Sequence, residues 1–149
     1  MNKYNINRFI IAQDKVYSNV INELKNGYKE THWMWFIFPQ IKGLGYSTTS
    51  MYYGIESLDE AKQYLANPIL LSRYNECCNI LLNLNNTSIY EILGIVDSLK
   101  LQSSLTLFSL VSNNELYKKL LEKYFKNQLC EKTLVILNKG ANYGNRTNH

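Results

Sequence analysis

Apolar residues recur at three- and four-residue steps through most of the chain, the spacing of one face of an α-helix. Phe9, Gln13, Val16, Tyr17, Val20 and Leu24 form the first such stripe, with Asn5 available as N-cap and Gly27 as C-terminal stop. Ser57 followed by Glu60 is a capping box, which predicts a helix from about Leu58 to Ala66 that ends at Asn67. Asn67 then caps the next helix, and Pro68 fits its first turn. Ile69, Arg73, Tyr74, Cys77, Ile80, Leu81 and Leu84 give that helix a continuous face until the run Asn83 to Asn86 ends it.

Ser88 and Glu91 repeat the capping box ahead of a very short helix stopped by Gly94. Asp97 is placed to cap a longer helix that carries Leu101, Leu105 and Phe108 inward. Asn113 and Asn114 break the chain again; Leu116, Leu120, Leu121, Tyr124 and Phe125 mark a sixth helix, and Thr133 to Leu137 a short seventh before Gly140. The polar residues Asn142 to His149 read as a frayed tail. The expected fold is therefore all-α, a compact array of about six to seven short helices, with strands confined to the region around Trp35 to Tyr53. One domain is expected over residues 1–149, its core at about 5–140 and a tail from 141.

One segment has no helical or strand period. From His32 the chain reads His-Trp-Met-Trp-Phe-Ile-Phe-Pro-Gln, then Ile-Lys-Gly-Leu-Gly-Tyr-Ser. Its apolar residues fall on no single face, so it is either buried on several sides or lines a pocket. Trp33, Trp35, Phe36 and Phe38 suit a central core, since aromatic rings bury large areas. His32, Gln40, Lys42, Tyr46 and Ser47 crowd polar groups against the same wall, and apolar walls with a few fixed polar contacts also make small-molecule pockets.

Composition narrows the setting. The 46% hydrophobic content of 149 residues can form a core without staples. No stretch approaches the roughly 20 apolar residues of a membrane span, and a start bearing Asn5, Asn7, Arg8 and Asp14 does not read as a signal peptide, so the expected location is cytoplasmic. Three cysteines, two of them adjacent as Cys77 and Cys78, cannot make an even disulfide framework, and no spacing suits zinc; reduced buried thiols are expected, with no metal and no cofactor. The net charge of +4 tolerates an anionic ligand. Apart from Lys118, Lys119, Lys123 and Lys126 the basic residues are scattered, which disfavours nucleic acid as the main partner.

Several residues carry candidate chemistry. Gly43-Leu44-Gly45 lets backbone amides approach a phosphate as an anion nest, or makes an ordinary turn; it lacks the third glycine of a dinucleotide fingerprint, and no P-loop occurs. His32 is a candidate general acid or base, or a hydrogen-bonded structural residue, while His149 sits in the tail. Downstream, Asp97, Lys100, Ser103, Ser104 and Thr106 form a second polar cluster. Adjacent serines inside a helix lower its propensity, so close packing or ligand contact is expected of Ser103 and Ser104. No Gly-x-Ser-x-Gly elbow supports serine-nucleophile catalysis.

The residues from His32 to Gln40, Gly43 with Gly45 and Ser47, Tyr53 with Ile55, Glu60-Ala61, Tyr64-Leu65, Pro68, Arg73, Asp97, Lys100-Leu101, Ser103-Ser104 and Thr106 to Phe108 resemble the domain of unknown function 1810 family. The resemblance covers about Arg8 to Leu137 and implies a compact multihelical fold with no established reaction. The chain departs from the family pattern at Leu71, where glycine is usual, and at Cys130, where an aspartate usually precedes the Thr133 helix; the second departure implies a weakened N-cap. In architecture the family is also similar to the NADAR proteins, helical enzymes that handle ADP-ribose on nucleobases.

Three functions follow as alternatives. The first is an aromatic pocket that binds, and as a hydrolase or glycosidase cleaves, a nucleotide or ADP-ribose-like molecule. In it Trp33, Trp35 or Tyr53 stack on a ring, and Gln40, Lys42, Gly43, Gly45, Ser47, Arg73, Lys100, Ser103 and Ser104 supply polar contacts, with His32 or Asp97 moving the proton. The second is a module that sequesters the same small anion unchanged. The third is a protein-interaction domain in which the aromatic block is core or partner surface. The first two require the tryptophan segment and the helix around Ser103 to meet beside a hollow.

Overall fold

The computed structural model describes residues 3–146, with side chains described as far as Lys139. Among the described residues there are ten helices, and the only pairing of extended backbone is an isolated parallel bridge between Ile41 and Ile55. The all-α expectation therefore holds, with more helices than the periodicity shows.

The first stripe is two helices, α1 (Asn7–Asp14) and α2 (Tyr17–Lys25). The chain bends at Val16, whose φ of −132° leaves the helical region, with neither proline nor glycine to announce it. Asn5 is not a side-chain cap: Ile6 occupies the N-cap position, and Asn5 instead uses its carbonyl to accept from the Arg8 guanidinium at 2.6 Å. Gly27 does end α2, at φ +68°, where the amides of Gly27 and Tyr28 return to the Leu24 and Glu23 carbonyls in a Schellman arrangement.

The aperiodic segment holds two brief helices, α3 (Met34–Ile37) and α4 (Thr48–Tyr53). Between and after them, Lys42 N donates to Ile55 O and Ile55 N to Gln40 O, both at 2.8 Å, which ties the loop after α3 to the end of α4. Arg8 locks the same corner. Its guanidinium reaches Tyr52 O, Gly54 O and the buried carboxylate of Glu60, the last at 2.8 Å.

Helices α5 (Leu58–Ala66), α6 (Pro68–Asn83) and α7 (Ile89–Leu93) form where their caps predict, and α9 (Glu115–Phe125) starts at the break expected at Asn113 and Asn114. Ser57, Asn67, Ser88 and Asn114 each accept from a backbone amide of the first turn. The long helix between them, α8 (Ile95–Val111), starts differently. Gly94, at φ +83°, is its N-cap, and Asp97 lies inside the first turn with its carboxylate turned to lysines. The last helix, α10 (Glu131–Arg146), does not stop at Gly140. One helical glycine costs about 1 kcal/mol, too little to end a helix by itself. The frayed tail expected from Asn142 thus includes helical backbone to Arg146, and residues 147–149, His149 among them, lie outside the described residues.

α8 is the axis of the molecule. From Leu101 to Phe108 all of its residues except Gln102 are buried, and α3, α5, α7, α9 and α10 pack around it. Phe108 meets Tyr64 and Tyr74 at ring-centroid distances of 5.2 and 4.8 Å, and Tyr74 continues the aromatic chain to Phe38 and Tyr117. No helix of the described residues is long and apolar enough to cross a membrane.

Candidate functional site

The tryptophan segment and α8 do meet, and a cleft of about 280 Å³ lies between them. One wall is Trp35 of α3 with Gln40, Leu44 and Gly45 of the following loop; the other is Val96, Leu99, Lys100, Gln102 and Ser103 of α8. Cys130 and Lys132, at the start of α10, close one end. The α8 wall is a helical stripe, since positions 96, 99, 100 and 103 fall on one face.

Each wall is held from behind. Trp35 is half-buried and the Lys100 ammonium lies 4.0 Å from its ring centroid, within cation–π range. Lys100 is steadied by Asp97 at 3.1 Å, whose other oxygen takes Lys29 at 2.8 Å. Burial pushes the Asp97 pKa up, but the two lysines outweigh it and hold the carboxyl below its ordinary range. The start of α10 is bolted to α8: Thr106 Oγ1 accepts from Cys130 N at 2.9 Å and Gln102 Nε2 donates to Gln128 O at 2.9 Å.

Two cleft groups have unusual surroundings. Gln40 is only 8% exposed, and its Nε2 has no hydrogen-bond partner. An amide donor left so costs about 1–3 kcal/mol, which a ligand acceptor would recover. Cys130 is half-buried, and the Ser103 hydroxyl stands 3.2 Å from its sulfur and 3.0 Å from Leu99 O. The single hydroxyl proton cannot serve both acceptors, and a thiolate takes it more strongly than a carbonyl. Burial raises the Cys130 pKa, yet Ser103 outweighs it together with Thr133 and the backbone amides of Thr133 and Lys132, so the thiol ionises below its ordinary value. The buried Thr133 hydroxyl falls short of hydrogen-bond geometry with any acceptor, so its help to the sulfur is that of a nearby dipole.

Of the residues singled out from the sequence, Trp35, Gln40, Gly45, Lys100 and Ser103 line the cleft. Gly43 and Tyr53 line a neighbouring crevice of about 10 Å³ instead, room for about one water. Gly43 takes a φ of +108°, so its glycine serves the turn.

The others stand elsewhere. Trp33 is 1% exposed and donates Nε1 to Glu23 at 3.1 Å, so it is core. Ser104 is fully buried, bonded to the Tyr74 hydroxyl at 2.8 Å, which accounts for the second serine by packing. Ser47 caps α4, and Lys42 pairs with Glu56 at the surface. Arg73, on α6, pairs with Asp14 at 2.7 Å and lies over the Tyr17 ring, committed to the α1–α2 corner. His32 is exposed and does not line the cleft. Asp97 is behind the wall and held as a carboxylate, which leaves it no proton to give near neutral pH. The two candidate proton-transfer residues are therefore not brought into the cleft.

Leu44, Val96, Leu99, Gln102, Cys130 and Lys132 complete the lining and did not stand out as site residues in the sequence. Val96 and Leu99 are 66% and 55% exposed, and two apolar residues in step with Lys100 and Ser103 on the outer face of a buried helix were the available signal.

No curated protein matches the chain. Among solved structures it is similar to the crystal structure of the conserved hypothetical protein Rv1873 from Mycobacterium tuberculosis, at 41% identity over 92% of this chain and 99% of that one, with a TM-score of 0.90. Residues 3–137 match the sequence pattern described as protein of unknown function (DUF1810), and the chain belongs to that family.

Proposed function

We propose that the cleft between Trp35 and α8 binds a small anionic molecule with a flat ring, of the nucleotide or ADP-ribose class. The observation that carries this reading is the pairing of Lys100 with Trp35 beside an unpartnered buried donor, Gln40 Nε2. Lys100 and Lys132 supply positive charge, and no carboxylate is among the described residues of the cleft. A phosphate or carboxylate gains charge-assisted hydrogen bonds there, and the ring gains the apolar faces of Trp35, Leu44 and Leu99. The volume of about 280 Å³ is at the lower edge of small-molecule sites and too small for a duplex. It suits one nucleotide-sized end of such a ligand, with the remainder along the exposed Val96 rim.

Binding without hydrolysis is the form of this reading that the cleft supports, because neither His32 nor Asp97 lines it. The three free cysteines suit the reducing cytoplasm, where we place the protein. Thermal-shift titration with ADP-ribose, NAD and mononucleotides is the test. A ligand present at 100 times its Kd stabilises the native state by about 2.7 kcal/mol, and that shift should vanish in Trp35→Ala. Absence of any shift at millimolar ligand rejects the proposal, and chromatography showing cleaved ligand after incubation rejects its non-hydrolytic form.

A further inference from the structure

We propose that Cys130 makes the cleft a covalent site, its sulfur displacing one half of a small carboxylate-bearing disulfide and keeping the other half as a mixed disulfide. The inference rests on this cleft admitting small anions, as above, and not on their being nucleotides.

Placement comes first. Cys130 lines the cleft at the N-terminal end of the 16-residue α10, with the Ser103 hydroxyl 3.2 Å from its sulfur and Lys132 two residues on. Cys77 and Cys78 are fully buried on α6, outside the cleft. A second, independent observation points to an occupant in the same space. Gln40 is nine-tenths buried and its Nε2 donor has no partner in the protein, so a ligand oxygen is what would complete it. Gln40 lines this cleft together with Lys100 and Lys132, a lining whose donors and charge suit a carboxylate.

The chemistry follows from what the cleft does not contain. A nucleophile that expels an oxygen or nitrogen leaving group needs a nearby acid, and among the described residues no His, Asp or Glu lines this cleft. A thiolate leaves without protonation. The step is Cys130–S⁻ plus R–S–S–R giving Cys130–S–S–R plus R–S⁻. The Cys130 sulfur is oxidised, the departing sulfur takes the electron pair of the broken S–S bond and then a proton from water, and no further oxidant is required. The Ser103 hydroxyl beside the sulfur favours the thiolate, which is the attacking form. No second thiol lines the cleft, so the adduct has no internal resolving partner and persists until an external thiol removes it.

The test uses the full chain and oxidised glutathione as probe, with intact mass and peptide mapping as readout. One glutathionyl group is expected on the peptide holding Cys130, none on Cys77 or Cys78, and none in Cys130→Ser. In parallel, Cys130 alkylation rates are compared for iodoacetate and iodoacetamide, which differ in charge. The iodoacetate-to-iodoacetamide rate ratio should exceed that of free cysteine several-fold, and should fall toward it in Lys132→Ala and Gln40→Leu. An unmodified Cys130 under conditions that modify the urea-unfolded chain, or a rate ratio equal to that of free cysteine, overturns the inference. Nucleotide stabilisation with an inert Cys130 would sink this inference and leave the binding proposal standing; a glutathionylated Cys130 with no nucleotide shift would do the reverse.

Discussion

The Lys100 ammonium is shared between the Trp35 ring, 4.0 Å from its centroid, and Asp97 Oδ1 at 3.1 Å. The indole therefore reports on whatever reaches Lys100. Trp33, the other tryptophan, is 1% exposed and bonded to Glu23, so its emission is a constant background. ADP-ribose binding is expected to change tryptophan fluorescence in the native chain and to leave Trp35→Phe silent. Lys100→Met should weaken binding by about 1.5–3 kcal/mol, the worth of a hydrogen bond to a charged group, or roughly ten- to a hundredfold in Kd. Equal affinity in that variant would place the anion away from Lys100.

The loop wall of the cleft depends on Gly54. A Cβ built there would lie 2.8 Å from Lys42 Cβ and 2.9 Å from Lys42 Cα. Gly54 has an ordinary φ of −60°, so the conflict is purely steric. Backbone cannot yield as a side-chain end would, and Gly54→Ala should cost about 1–3 kcal/mol in urea unfolding. It should also loosen the Ile41–Ile55 bridge and weaken ligand binding. Gly27→Ala is the control, since nothing lies within 4 Å of that Cβ and only its φ of +68° is strained. About 1 kcal/mol is expected there, with ligand affinity unchanged.

Helices α5, α6 and α7 were legible because a Ser or Asn cap marks each start, and capping is a local interaction; α9, whose cap Asn114 was read only as a break, was legible from its apolar stripe. The bend at Val16 was not, since the chain is turned there by tertiary demands: Gln13 must reach both Phe36 O and the Tyr64 hydroxyl. Asp97 followed the pattern of a cap and instead meets Lys29 from a distant loop. In the site, the meeting of the Trp35 segment with Ser103 was foreseen. Which of two adjacent serines and which of two nearby tryptophans face the cleft was not, because one residue of helical rotation decides it. Cys130 stood out as a departure from the family pattern, but its thiol chemistry depends on Ser103, 27 positions away.

Ser104 and the Tyr74 hydroxyl satisfy each other in a fully buried setting, 2.8 Å apart. Removing one member leaves the other polar and unpaired, so Ser104→Ala and Tyr74→Phe should each cost about 1–3 kcal/mol. The double variant removes both groups and should cost clearly less than the sum of the two. A double-mutant cycle by urea denaturation measures the difference. Strict additivity would mean that the two hydroxyls do not depend on each other. Because Ser104 is outside the cleft, ligand affinity should stay level throughout the cycle.

Glu23 links the stability of the fold to pH. Its carboxylate, 7% exposed, accepts from the Glu30 and Thr31 amides at 2.6 and 2.9 Å, the Thr31 hydroxyl at 2.6 Å and Trp33 Nε1 at 3.1 Å. Burial pushes its pKa up, but these donors outweigh burial and the net direction is down. A carboxyl with a lowered folded pKa contributes stability that is fully present above its unfolded value of about 4.3 and is lost as pH falls through the folded value. Glu23→Gln presents an amide to the same donors and should lose about 1–3 kcal/mol at pH 7. As pH falls through that lowered folded value the native carboxyl takes up its proton, and the gap between native chain and variant should narrow. Urea midpoints measured from pH 7 down to pH 2 give both curves. A gap that stays constant across that range would show that the charge of Glu23 is not what holds the loop from Glu30 to Trp33.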